Sequence, residues 1–90
     1  MRINMAQIRN ETGQLFNGAR NLLDAAMNLS RFQRELNAAW VGSEVNVTNH
    51  AIDDYARRAK QLSHTLEMLG IEIQRIAEII RMEDENNERN

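Results

Sequence analysis

Ile8, Leu15, Leu22, Leu29 and Leu36 recur at intervals of seven along the first part of the chain. With these at heptad position a, position d holds Glu11, Gly18, Ala25, Phe32 and Ala39, and position e holds Thr12, Ala19, Ala26, Gln33 and Trp40. An apolar stripe that returns every seven residues stays on one side of a helix. The spacing predicts a first helix over about 5–39. Asn4 stands where an N-cap side chain accepts from the first turn, and Gln7 lies three residues on. Ile3 and Ile8 are placed for a hydrophobic staple.

A second repeat follows. Val45, Ile52, Ala59, Leu66, Ile73 and Ile80 fall on position a, and Thr48, Tyr55, Leu62, Leu69 and Ile76 on position d. Position e is small through the middle, with Ala56, Ser63, Gly70 and Ala77. This predicts a second helix over about 44–82, its repeat alone spanning about 54 Å at about 1.5 Å per residue. Its first turns, Val45-Asn46-Val47-Thr48-Asn49, are weak helix formers and are expected to be irregular. Residues 40–43, Trp40-Val41-Gly42-Ser43, make the corner. Gly42 suits the left-handed position that closes a helix, and Ser43 suits the N-cap of the next. So short a connection makes the helices antiparallel neighbours. The tail, 83–90, contains no apolar residue and is expected to lie outside the helix and fray. The whole of 1–90 reads as one all-α domain, an antiparallel two-helix hairpin.

Two helices meeting at a single seam need only a narrow a/d stripe each. Here a, d and e together are apolar or small along much of both helices, which suits a helix touching more than one neighbour. The pattern therefore predicts a four-helix bundle built from two hairpins. Its shared core and dimer seam are drawn from Ile8, Leu15, Leu22, Leu29, Phe32, Leu36, Ile52, Tyr55, Leu62, Leu66, Leu69, Ile73, Ile76 and Ile80. Ile71, Ile79 and Met82 add outward apolar surface.

Composition supports this picture. Ninety residues with no cysteine leave a small core without disulfide help, and association is the obvious remaining source of stability. There is no proline to break either helix. The net charge is −2, with five Arg against three acids in 1–42 and six bases against ten acids in 43–90. That balance argues against nucleic acid, which calls for a basic stripe. The cluster Arg57, Arg58 and Lys60 follows Asp53 and Asp54 directly and reads as a solvated mixed-charge face. The first residues lack the apolar run of a Sec signal peptide, and no stretch approaches the roughly 18 apolar residues of a membrane span. The polar faces are mixed or acidic, unlike the basic face of an interfacial helix. No direct membrane binding is expected.

Catalytic chemistry finds no foothold. His50 and His64 both fall on the outward position f, about 21 Å apart along one helix, too far to share a metal ion. His50 with Asp54 supplies two ligands, a poor site. Ser43 and Ser63 have no base placed beside them, and none of the glycines forms a phosphate-binding loop. Gly70 belongs to the row of small residues and reads as a close-packing position. No catalytic residue, metal site or cofactor is expected, and the chain reads as a non-enzymatic protein.

The tripeptide Trp40-Val41-Gly42, set at the corner of a proline-free chain with apolar heptads on both sides, resembles the signature of the WXG100 family of early secreted antigen-like proteins. The resemblance spans essentially the whole chain. It implies an antiparallel hairpin that pairs as a homodimer or a WXG-type heterodimer. It also implies export without a cleaved signal peptide by a type VII secretion system and its membrane ATPase. Such a protein acts as an effector or as a carrier for a larger toxin substrate, outside the cell or at its surface. Trp40 and Gly42 carry over as the recognition corner. The family's tail signal, a tyrosine followed four residues later by an acid, is missing, since the only tyrosine is Tyr55. A looser version, an apolar residue and an acid at the same spacing, occurs as Ile79–Glu83 and Ile80–Asp84. The departure leaves room for the signal to come from a partner. It also keeps open a cytosolic adaptor that binds and targets a larger protein, or an unrelated helical scaffold.

Overall fold

A computed structural model describes residues 2–89. It consists of two helices, α1 (Met5–Ala39) and α2 (Glu44–Arg89), packed side by side along their length. The molecule is a slab 73 × 16 × 12 Å. The expected hairpin is present, with helix boundaries at the corner where the heptads place them.

Local chemistry sets the ends of α1. Asn4 is extended, and its Oδ1 accepts from the Gln7 backbone N–H at 3.1 Å, which satisfies one of the amides a helix start leaves open. At the other end the Trp40 N–H donates to the Leu36 carbonyl at 2.9 Å, and Trp40 itself is extended, φ −128° and ψ 115°. The chain then turns through two hydrogen bonds of i→i+3 type, from Val45 N–H to the Gly42 carbonyl and from Asn46 N–H to the Ser43 carbonyl. Glu44 in the first turn of α2 complements the helix dipole.

Three expectations need correction. Gly42 is not left-handed: no described glycine has a positive φ, because α1 closes on an extended Trp40 and the turn is completed by those two bonds. Val45–Asn49 form a regular helix from the start. Their weak propensity is overridden by packing beside the end of α1, where Asn49 Nδ2 donates to Asn37 Oδ1 at 2.9 Å. The tail is helical through Arg89, so α2 does not end near 82. No glycine or proline stands there to stop it, propagation adds a hydrogen bond per residue, and Arg81 links Glu78 to Glu85 across successive turns. Asn90 lies outside the described residues.

The seam between the helices is made of small side chains. Thr12, Ala19 and Ala26 on α1 meet Ile52, Ala56, Ser63, Gly70 and Ala77 on α2, all of them buried. Apart from Ile52 these are e positions. Short side chains let the two backbones come close enough for direct cross-helix bonds. Ser63 Oγ donates to the Ala19 carbonyl at 2.6 Å, and Gln74 Nε2 donates to Thr12 Oγ1 at 2.8 Å. Thr12 in turn donates to the Ile8 carbonyl. Toward the corner, Gln33 Nε2 donates to Asp53 Oδ1 at 3.0 Å and to Asn49 Oδ1 at 3.2 Å. These polar links hold the antiparallel register, which pivots on Gly42.

Gly70 is needed by the packing. A Cβ built there would lie 2.7 Å from Phe16 Cε1 and 2.9 Å from Phe16 Cζ, so the Phe16 ring rests on bare backbone. Gly70→Ala is expected to lower stability: overpacking costs about 1–3 kcal/mol, against a gain of about 1 kcal/mol from helix propensity. In a Phe16→Ala background the same change is expected to stabilise instead. A double-mutant cycle of urea unfolding checks this, and Gly70→Ala stabilising in both backgrounds would refute the contact.

Candidate interaction face and corner

The residues expected to form one seam separate into two groups. Ile52 is buried, and Ile8, Leu15, Leu22, Leu29, Leu36, Leu66, Ile73 and Ile80 are half-buried along one side of the small-residue seam. The large d residues are not in that seam. Phe32 is 53% and Tyr55 63% exposed, and Leu62, Leu69 and Ile76 are nearly as open. The reason is angular. Position e points straight at the neighbouring helix, a lies on its flank, and d lies a further 60° round, where no second helix reaches it within one chain.

The result is a continuous open face. Two antiparallel helices in register present the same heptad positions to the same side, so the a and d rows of both contribute. Ile8, Leu15 and Ile73 line a single shallow groove on it. Over α1 the face is low, because Gly18 and Ala25 carry little side chain. A Cβ at Gly18 would lie 3.8 Å from Leu66 Cδ1, an ordinary contact, so the glycine leaves open room beside Leu66. Over α2 it stands up as the row Tyr55, Leu62, Leu69 and Ile76. Exposed apolar surface arranged in a row of this length marks an interaction surface more often than scattered single residues do.

Sequence patterning missed a smaller feature on the opposite side. Phe16, Leu23 and Ile71, with Arg20 and Glu67 at the edges, line a groove floored by Ala19 and Ser63. Its sequence signal was two large apolar residues, Phe16 and Leu23, seven apart on position b.

At the corner, Trp40 is 40% exposed. Its Nε1 would lie 3.7 Å, and Glu44 Oε2 3.2 Å, from a Cβ added at Gly42. Gly42 therefore keeps open the space between the indole and a carboxylate. Of the two tail pairs, Ile79 and Glu83 are both exposed, whereas Ile80 and Asp84 are half-buried. Asp84 shares a groove with Arg2 at the start of the chain. Both pairs sit on regular helix.

Several charged groups form local pairs on the surface of α2: Arg57 and Arg58 with Asp54, Arg75 with Glu72, and Arg81 with Glu78 and Glu85. Hydrogen bonding to Arg75 holds the Glu72 carboxyl below the usual carboxylate range, and Arg81 does the same to Glu78. The reciprocal effect raises both guanidinium groups. His50 and His64 are exposed. Among the described residues, no three His, Cys, Asp or Glu side chains are grouped to hold a metal ion, and no helix is long and apolar enough to cross a membrane.

No protein-family model, characterised protein or solved structure matches the chain.

Because Gly42 has an ordinary backbone conformation and its nearest obstacle is the free end of Glu44, Gly42→Ala is expected to change stability by no more than about 0.5 kcal/mol. Thermal melting checks this. A large loss would mean that the corner depends on glycine for folding.

Proposed function

We propose that this chain is a non-enzymatic helical hairpin of the WXG100 kind, which covers its open face with a helical partner and leaves the cell through a type VII secretion system. It then serves as an effector or as the carrier of a larger substrate. One observation carries the reading: Trp40-Val41-Gly42 lies in the short connection, residues 40–43, between the two long helices, and the indole stands partly exposed there. A corner tripeptide at the tip of a rigid hairpin is available to a recognising surface without unfolding either helix. The exposed Ile79–Glu83 pair, on regular helix at the other end, is the more accessible of the two candidate tail signals.

A second reading draws on the absence of a tyrosine from the tail. In it the chain remains in the cytosol as an adaptor, its open face holding the helices of a larger protein that carries its own signal.

The test is export from host cells with and without the type VII ATPase. The uncleaved chain is expected in the culture supernatant only when the ATPase is present. Retention in both strains would overturn export and favour the adaptor. Trp40→Ala is expected to lower export several-fold. Gly42→Ala, which should fold normally, reports on recognition alone. Unchanged export in both variants would remove the corner from the proposed signal.

A further inference from the structure

We infer that the groove opposite the open face seats one amphipathic helix of another protein, with acidic residues along the flank that meets α1 and a basic residue opposite Glu67. The inference rests on the carrier reading proposed above and gives the carried protein a place of its own.

The groove extends beyond the hollow over Ala19 and Ser63. That hollow shares Ile71 with a second one, lined by Met5, Arg9, Ile71, Gln74, Arg75 and Glu78. Together they run along α1 from Met5 to Leu23, about 27 Å at about 1.5 Å per residue. The walls have the spacing of holes that receive helix side chains. Phe16, Ala19, Arg20 and Leu23 on α1 stand at i, i+3, i+4 and i+7, and so do Ile71, Gln74, Arg75 and Glu78 on α2. Four residues so spaced frame a hole for one knob of a neighbouring helix. Gln74 bonds Thr12, so the second hole lies about 12 Å along the axis from the first, a little over two turns of an incoming helix. An extended segment finds no edge to pair with, because the backbone groups of α1 and α2 are bonded within their own helices.

Charge sets the kind of helix. On these walls Arg75 is paired with Glu72, and Glu78 with Arg81. Arg9 and Arg20 on α1 and Glu67 on α2 form no ion pair among the described residues. Arg20 and Glu67 stand on opposite walls and do not bridge the floor. Arg9 and Arg20 are eleven residues apart, about 16 Å, and an incoming helix returns to nearly the same side at that interval. Acids at i and i+11 of that helix meet both arginines, and a base on its other flank meets Glu67. Between the flanks, the hole walled by Phe16 and the exposed Leu23 and Ile71 takes a Leu, Ile or Met. A second copy turned about the long axis would bring its Glu67 and Glu78 to about the level of Arg20 and Arg9. That arrangement sets groove upon groove and fills neither, whereas a single helix is convex.

Titration of the purified chain with a synthetic, fluorophore-tagged peptide tests this. The peptide is about 15 residues long, marginal as a helix alone, with a stripe of Leu, Glu on one flank and Lys on the other. It should gain helical circular dichroism on binding, and should bind several-fold more tightly than versions with Glu or with Lys on both flanks. Equal binding of all three, or binding without gain of helix, overturns the inference. Leu23→Gln and Ile71→Gln, both at exposed positions, should melt as the parent does and bind at least about tenfold more weakly. Arg20→Glu should weaken binding several-fold and prefer the peptide with Lys on both flanks. Leu62→Gln and Leu69→Gln on the open face should leave binding unchanged; a loss there instead would put the peptide on the open face and overturn the assignment. Self-association that Leu23→Gln and Ile71→Gln abolish would make a second copy the occupant and overturn it too. A chain exported in an ATPase-dependent way that ignores the peptide would sink this inference and leave the functional reading standing. Peptide binding in the groove by a chain retained in both strains would do the reverse.

Discussion

Two rows of small side chains meeting along the helix axes set the terms for the rest of the molecule. Thr12, Ala19 and Ala26 lie against Ala56, Ser63, Gly70 and Ala77, and nothing larger would let the backbones approach so closely. Close approach is what allows Ser63 to reach a main-chain carbonyl of the other helix, and what lets Phe16 rest on the bare backbone of Gly70. It also has a cost. Small residues bury little apolar area each, and hydrophobic stabilisation scales with area. A seam of this kind brings two helices together accurately but contributes modestly to keeping them folded, and it leaves the larger apolar residues on the outside.

Polar side chains supply the accuracy that a smooth alanine surface lacks. An alanine row slid by one heptad still meets another alanine row. The Gln74–Thr12, Ser63–Ala19 and Gln33–Asp53 bonds do not survive such a slip, and each lies at a different height along the slab. Breaking a buried one strands a polar group away from water. Register is thus held by a few hydrogen bonds spread from the open end to the corner, while the corner itself needs no unusual backbone conformation.

The same geometry links fold to function. Because e residues take the place between the helices, the large d residues are displaced to one face, where Tyr55, Leu62, Leu69 and Ile76 form a ridge over α2 and Gly18 and Ala25 leave a low strip over α1, with Phe32 standing nearer the corner. The corner tripeptide and the exposed Ile79–Glu83 pair lie at opposite ends of the long axis, one at each end of that face. The proposed partner face and the proposed recognition corner are therefore separate stretches of the same pair of helices.

The seven-residue repeat by itself determined the two helices, their antiparallel pairing through a four-residue corner, the Asn4 cap and the outward setting of both histidines. These follow from local rules: a period, a cap and a chain too short at the corner to do anything but reverse. Local rules also misjudged the polar tail, where α2 continues to Arg89 with ion pairs between successive turns as far as Glu85, and Gly42, since the corner closes without a left-handed residue. What only the tertiary structure decided was which of three apolar rows faces the neighbouring helix. Positions a, d and e are all compatible with burial, and the repeat treats them alike. The choice of e depends on how near two backbones can come and on which hydroxyls and amides then find partners across the gap. That is a property of the helices together, and neither helix's sequence expresses it alone.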